Sequence, residues 1–406
     1  MGRWALFIYL ITIALPSSAF DARVLMAEGA EPRVLRGTFL LRIGCEEKVE
    51  VRKAATFNCR KQTWRIPRGA WLVTAFEDKN NQGLQLQREG FSKSYSFPGV
   101  SFLFSGNFSF DNQSVNHLEA FKGAEGLDWV AHISVQDYLY GVLAAEVPAN
   151  WSMEALKAQA VASRTYFFYK KTERKDDHYD VRSDTLDQVF QLDARKRKSL
   201  ITAVDDTRGL ILVDKKSSKI FPAYFHADCG GQTTLESEVW RNPSSVNKKV
   251  RDPFCRSSEV NNWTFTMDRE KLQNALKTVF LVPQESKLSA IYPRPDEEGR
   301  SQWVDFLFDK KNIQRIQAND LRQLLGFSNL RSAHFKVEER WDSFIFSGRG
   351  FGHGVGLCQW GAQRWAKQGK DFRFILEHYY PNAVMKALNT QDYRRMQAQL
   401  ADPISL

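Results

Sequence analysis

Glu146 stands in Tyr140-Gly141-Val142-Leu143-Ala144-Ala145-Glu146-Val147-Pro148, an acid among small apolar residues just ahead of a long helical pattern. Removing water from around a carboxyl raises its pKa toward neutral, where it can both give and take a proton. Glu146 is therefore the candidate catalytic residue. Two further segments carry donors. Tyr224-Phe225-His226-Ala227-Asp228-Cys229-Gly230-Gly231-Gln232-Thr233 delivers a histidine and a cysteine into a double-glycine turn, whose backbone can approach a ligand closely and take positive φ. His226 and Cys229 supply two of the three or four donors of a zinc site; a disulfide or plain packing is the competing reading. The stretch Gly348 to Ala362 is glycine-dense around His353 and runs into a helix. It lacks the Gly-Lys-Ser/Thr end of a phosphate loop; its glycines are read as exposing backbone around His353, which with little side-chain packing beside it is a binding or catalytic group.

The elements that must position these groups are legible in part. Ser152 offers an N-cap, and from Met153 to about Lys171 the residues Leu156, Ala160, Ser163 and Phe167 recur at helical spacing without Gly or Pro. Between about Arg33 and Phe110 the chain is strand-like, with short apolar runs cut by Gly, Asn and Pro. After the polar stretch Asp111 to Asn116 the pattern mixes helix and strand. These patterns give an α+β fold: a small β-rich accessory domain over residues 20–115, a catalytic domain over 116–390 and a tail over 391–406. Within the catalytic domain we expect a strand at Leu127 to Ile133, then Val135 to Leu143 leading to Glu146, and a basic helix at about Arg195 to Asp206. A hairpin follows, with strands Leu210 to Val213 and Lys219 to His226 around the turn formers Asp214 to Ser218. Asp268 to Lys277 and Asn319 to Leu325 read as short helices, and Trp303 to Phe308 and Ser343 to Ser347 as strands. The aromatics of Phe374 to Asn382 read as core or groove wall.

At 406 residues, 43% hydrophobic and 13% aromatic, the chain can fill two cores. Residues 1–19 differ: Arg3 leads an apolar run from Trp4 to Leu15, followed by Pro16 and Ser17-Ser18-Ala19, the pattern of a cleaved export signal. Crossing a bilayer takes roughly 20 apolar residues, more than this run holds. Export permits disulfides, and of the five cysteines we expect Cys45 to pair with Cys59 and Cys229 with Cys255. The net charge of +10 suits an anionic partner such as a bacterial cell wall or a membrane surface, and export argues against nucleic acid. The basic run Lys170, Lys171, Arg174 and Lys175 reads as a solvated face complementing the helix dipole.

In combination, Tyr138-Leu139-Tyr140-Gly141-Val142 with Glu146-Val147-Pro148, Ala155 to Tyr166, His226 with Cys229-Gly230-Gly231-Gln232-Thr233, Gly350 to Leu357, Gln359-Trp360-Gly361-Ala362 and His378-Tyr379-Tyr380-Pro381 resemble the SpoIID/LytB family over about residues 117–385. The chain departs from that pattern at Phe190, Phe351 and Cys358, where tyrosine, tryptophan and serine are common, and between about 279 and 345. The resemblance implies an exported lytic transglycosylase of the periplasm, cell envelope or exterior, acting on peptidoglycan glycan strands stripped of their stem peptides. It implies Glu146 as the acid that protonates the leaving oxygen and then, as carboxylate, takes the proton of the sugar's 6-hydroxyl to close a 1,6-anhydro ring. Other family members stimulate a cell-wall amidase, so a non-catalytic activator is the alternative. Supporting roles fall on Gln159, Arg164, Tyr166, Gln188, His226, Gly230, Gly231, His353 and Gln359, which would orient sugar hydroxyls or the lactyl carboxylate of muramic acid. Arg164 is the natural partner of that carboxylate, or else a tie between helix and sheet. Trp151, Trp240, Trp360 and Tyr379 would offer flat faces to sugar rings. No cofactor is required, and a structural zinc on His226 and Cys229 stays as the metal alternative.

Overall fold

The computed structural model describes residues 21–44, 63–77, 82–99, 101–123, 125–191, 197–240, 246–255 and 262–388. The expected export signal, the Cys45 with Cys59 pair and the tail from 391 lie outside the described residues.

The fold is α+β. Strands β1 (Asp21–Ala27), β2 (Arg33–Gly44), β3 (Thr63–Glu77), β4 (Gln82–Arg88), β5 (Ser94–Pro98), β6 (Ser101–Phe110), β7 (Gln113–Lys122), β8 (Leu127–Ser134) and β9 (Val181–Arg182) form one sheet in the order β5-β4-β3-β2-β6-β7-β8-β1-β9. Its β-rich part encloses an aromatic core of Phe39, Phe102, Phe104, Phe110 and Trp129. The boundary expected after residue 115 falls inside β7, and the sheet runs on through β8 and β1 to β9. Ala22 and Val24 of β1 are fully buried in the same core as Tyr138, Val142 and Phe167.

Two helices follow β8. Helix α1 (Val135–Glu146) is capped by Ser134, whose side chain accepts from the Asp137 N–H at 3.1 Å. It ends at Glu146 because Val147 turns extended and Pro148 has no N–H to continue the ladder. Helix α2 (Met153–Glu173) is buried on two sides: Leu156, Ala160 and Phe167 enter the α1 core, while Ala155, Ala158, Val161 and Ala162 enter a second. Ser152 sits at its N-cap without a side-chain capping bond; its N–H instead donates to Gln363 Oε1 at 2.9 Å. The basic end of α2 is no solvated face. Lys171 pairs with Asp180 at 2.9 Å and Arg174 with Asp187, two carboxylates that are wholly buried.

Helix α3 (Lys198–Asp206) precedes β10 (Leu210–Asp214), β11 (Phe225–His226), β12 (Asn262–Asp268), α4 (Arg269–Lys277), β13 (Leu288–Pro295), β14 (Ser301–Phe308), β15 (Asn312–Gln317), α5 (Ala318–Leu325), β16 (Phe335–Glu339), β17 (Ser343–Arg349), β18 (Leu357–Cys358), α6 (Gln359–Lys367), α7 (Phe372–Tyr379) and β19 (Ala383–Ala387). The expected hairpin is only a turn. Asp214 N–H donates to Lys219 O at 2.9 Å, but past a single bridge from Val213 to Ile220 the chain diverges, and Pro222 offers no donor there. Instead β10 pairs with β19, and β11 runs parallel to β18 from the glycine-dense stretch. Strands β12, β17 and β16, the meander β13-β14-β15 and helices α4 and α5 share a separate core around Leu272, Phe306, Leu321 and Phe346.

One glycine decides how the chain beyond α2 meets α1. A Cβ on Gly141 would lie 2.3 Å from the Phe190 ring and 2.5 Å from Gln191 O. Gly141→Ala is expected to lower the unfolding free energy by about 1–3 kcal/mol through overpacking, measured from urea midpoints; an unchanged midpoint would mean that the Phe190 loop has room to move.

Candidate active site

Glu146 closes α1 with its carboxyl turned into the protein. Val189 N–H donates to Oε1 at 3.2 Å, and Gln359 Nε2 donates to Oε2 at 3.4 Å. Burial raises its pKa above the ordinary 4.5; the Gln359 and Val189 bonds offset part of that rise, and no charged neighbour is among the groups acting on it. The site is thus an acid prepared by desolvation and kept in place by two neutral donors.

Each donor is fixed by its surroundings. Val189 is held because Gln188 next to it is buried, accepting from Tyr138 OH at 2.8 Å and donating to Ser163 O at 3.3 Å. Asp187, one residue earlier, takes Arg174 and the Arg182 N–H, and Tyr166 OH donates to it at 3.2 Å. Gln359 opens α6 directly after Cys358, which pairs with His226 across the parallel ladder. Glycines in the stretch feeding α6 allow that approach: a Cβ on Gly356 would lie 2.1 Å from Tyr224 O, and one on Gly352 would lie 2.7 Å from His226 Cβ. These glycines seat backbone against backbone instead of exposing it.

The expected supporting residues divide. Glu146 and Gln359 meet directly. Tyr224, Trp240, His226 and His353 form a ring cluster, with Trp240 stacked on Tyr224 at 4.4 Å and His353 5.0 Å from Trp240 and 5.5 Å from His226. His353 Nδ1 accepts from Val355 N–H, and burial above all holds its pKa well below the usual value. Trp151 and Trp360, half-buried beside the Glu146 and Gln359 segments, pack at 5.1 Å. Gly230 and Gly231 line a cavity of about 370 Å³ shared with Arg251, Arg300 and Arg349, which Glu146 does not line.

Other expectations are corrected. Of the two readings of Arg164 the tie is the one seen: it is 2% exposed and donates to Thr207 O, Leu210 O and Val204 O, joining α2 to the carbonyl end of α3 and to β10 instead of meeting a ligand. Gln159, with its amide on Ser163 Oγ, Gln188 and Tyr166 are likewise interior and act by positioning. Tyr379 is fully buried and donates to Asp252 Oδ2 at 2.6 Å, so it offers no face to a sugar. Cys229 and Cys255 are not bonded: Cys229, Cys255 and Cys358 are all free and buried. Among the described residues Cys229 Sγ lies in a group of possible ligands with Asp252, Cys255 and Cys358, and His226 is not in that group. The sequence reading missed Asp252 and the Val189 N–H. The Asp252-Pro253-Phe254-Cys255 spacing was a signal for the first; a backbone donor leaves none.

With the fold and this geometry in view, known proteins place the chain. The family model described as "SpoIID: Stage II sporulation protein" matches residues 123–213, which carry α1, Glu146 and α2. An uncharacterized protein of Brachyspira hyodysenteriae is 32% identical over 268 residues, covering 66% of this chain and 69% of that relative. Stage II sporulation protein D of Bacillus subtilis is 29% identical over 266 residues, covering 62% and 74%. The amidase enhancer of Bacillus subtilis is 26% identical over 296 residues, 61% of this chain but 40% of that protein. The chain belongs to the SpoIID/LytB family, and its role is related to the bacterial cell wall. Among the described residues no helix is long and apolar enough to cross a membrane.

Two outcomes follow from the site. A carboxyl whose folded pKa is raised contributes stability that is full below the unfolded value near 4.5 and is lost as pH rises through the folded value. Glu146→Gln never charges, so it should unfold at higher temperature than the parent at neutral pH, with the gap closing in acid; thermal scans across that range decide. Arg164→Met should cost about 2–4 kcal/mol in urea unfolding by stranding buried carbonyls, without weakening glycan binding by the folded fraction.

Proposed function

We propose that the protein is an exported peptidoglycan lytic transglycosylase that cleaves the MurNAc-GlcNAc glycosidic bond and leaves 1,6-anhydro-muramic ends. The observation that carries this reading is the state of Glu146: a single carboxyl, raised in pKa by burial, held by Val189 N–H and Gln359 with no charged group among its perturbers. Hydrolysis by a carboxylate pair needs a second acid to activate water or attack the sugar. Internal ring closure needs one group that first donates and then accepts. Glu146 protonates the leaving oxygen while still neutral, which its raised pKa favours. The carboxylate so formed is stabilised by the same two donors, and it then removes the 6-hydroxyl proton as that oxygen attacks the anomeric carbon. Partly exposed Trp151, Trp360 and Trp240 supply flat faces for sugar rings.

Similarity to a protein named an amidase enhancer favours a second reading, in which the chain binds the wall and activates an amidase without cutting glycan. The +10 charge serves either role on an anionic polymer. Purified glycan strands, intact and stripped of peptide, separate the two. Mass spectrometry should find anhydro ends from the wild type, more from stripped strands, and a loss of about 10²–10⁴-fold with Glu146→Gln, the usual worth of a general acid. Reducing ends would mean hydrolysis. No cleavage by either protein, with a partner amidase accelerated equally by both, would establish the activator.

A further inference from the structure

The strongest unassigned feature lies behind the Gln359 segment. Cys229, Asp252, Cys255 and Cys358 place one ligand atom each within 4.8 Å of one another, and all four residues are buried. They come from three stretches far apart in sequence: the double-glycine turn after β11, the Asp252-Pro253-Phe254-Cys255 turn, and the end of β18. We propose that these four residues form a structural zinc site of the Cys₃Asp type, which clamps those three stretches together behind the active site.

Geometry supports zinc over the alternatives. Tetrahedral zinc with sulfur at about 2.3 Å and oxygen at about 2.0 Å keeps two sulfurs about 3.8 Å apart and a sulfur and an oxygen about 3.5 Å apart. Cys255 Sγ lies 3.5 Å from Cys358 Sγ and 3.4 Å from Asp252 Oδ2. A disulfide brings two sulfurs to about 2.05 Å and would leave the third thiol and the acid unexplained. Asp252 is 0% exposed, and among the described residues no ion pair joins it to a lysine or arginine. Any thiolate or carboxylate formed in this buried space would be a costly uncompensated charge, which a bound cation would offset.

The surroundings are those of a metal–thiolate centre, in which outer hydrogen bonds orient the ligands. Backbone N–H groups of Cys229 and Gly361 donate to Cys358 Sγ at 3.3 and 3.4 Å, and Gly231 N–H donates to Cys229 Sγ at 3.4 Å. Cys358 is also the N-cap of α6, so a backbone donor of the first helical turn faces its sulfur. Tyr379 OH donates to the Asp252 carboxylate, and Phe254 N–H donates to its other oxygen at 3.1 Å. Arg300, itself buried, donates to Cys229 O at 2.7 Å and adds positive charge beside the group. Gly361 is needed here: a Cβ would fall 1.9 Å from Tyr379 OH and 2.0 Å from Asp252 Oδ2. Binding displaces the thiol protons to solvent, and no electron changes hands. His226, whose Nδ1 lies 3.1 Å from Val355 O, is not among the four grouped residues.

The test uses the whole chain purified without thiol reagents. Its metal content is measured, and Cys229, Cys255 and Cys358 are mapped by alkylation before and after unfolding with chelator and no reductant. The expected result is one zinc per chain, three thiols protected in the native protein, and all three alkylated once unfolded. Metal-free protein is then offered cobalt, which should give thiolate charge-transfer bands that Cys255→Ser and, separately, Asp252→Asn weaken or abolish. Zinc with freely reactive native thiols would put the metal elsewhere and overturn the proposal. So would two of these cysteines that react only after reduction, or a folded chain with three free thiols that takes up neither metal.

Discussion

Withdrawing one carboxyl from water while leaving two donors on it is the constraint that orders this molecule. Neither donor belongs to the helix that carries Glu146: the Val189 N–H comes from the loop after β9 and the Gln359 amide from the start of α6. The loop is fixed by buried Asp187 and Asp180 against the basic end of α2, by Gln188 between Tyr138 and Ser163, and by the absence of a side chain on Gly141. The other arm is fixed by the β11/β18 ladder and the glycines that let it close. A shift of either arm would readmit water, which returns the acid toward its ordinary pKa, or remove a donor, which lets the pKa climb further and leaves the carboxylate without its stabilising bond.

This arrangement also explains why α2 needs so little amphipathic character. It lies between two cores, one containing α1 and the other the α6 and α7 side, so its small residues face both. Alanines there let neighbouring elements approach closely enough for donors from two sides to reach one carboxyl. Arg164, in the same helix, ties α3 through backbone carbonyls and fixes the outer edge of the packing.

What the sequence disclosed followed local rules. Helix α2, the helix expected at Asp268 to Lys277 and strands β14 and β17 all rest on patterns within a few residues. What stayed hidden depends on partners distant in the chain. Residues 219–226 carry strand-like residues, but the edge of β10 is taken by β19, some 170 residues later. The glycines around His353 read as an exposed loop because sequence does not show that residues 224–234 fill the space beside them. Arg164 looked like an anion ligand because an arginine in a helix does not reveal whether its guanidinium meets solvent or orphaned carbonyls. The cysteines misled similarly, since pairing by proximity in sequence ignores the third sulfur arriving from β18.

The position of β1 has a mechanical side. This first described strand lies between β8 and β9, antiparallel to one and parallel to the other. Arg23 is bonded to Asp180 and Arg182 to Glu28, and Ala22 and Val24 are buried beneath α1. A pull applied ahead of residue 21 would therefore load the two ladders and the core of the Glu146 helix in shear, before any part of the β-rich half is stretched. Load carried by β1 is thus passed directly to the packing around the helix that ends in Glu146.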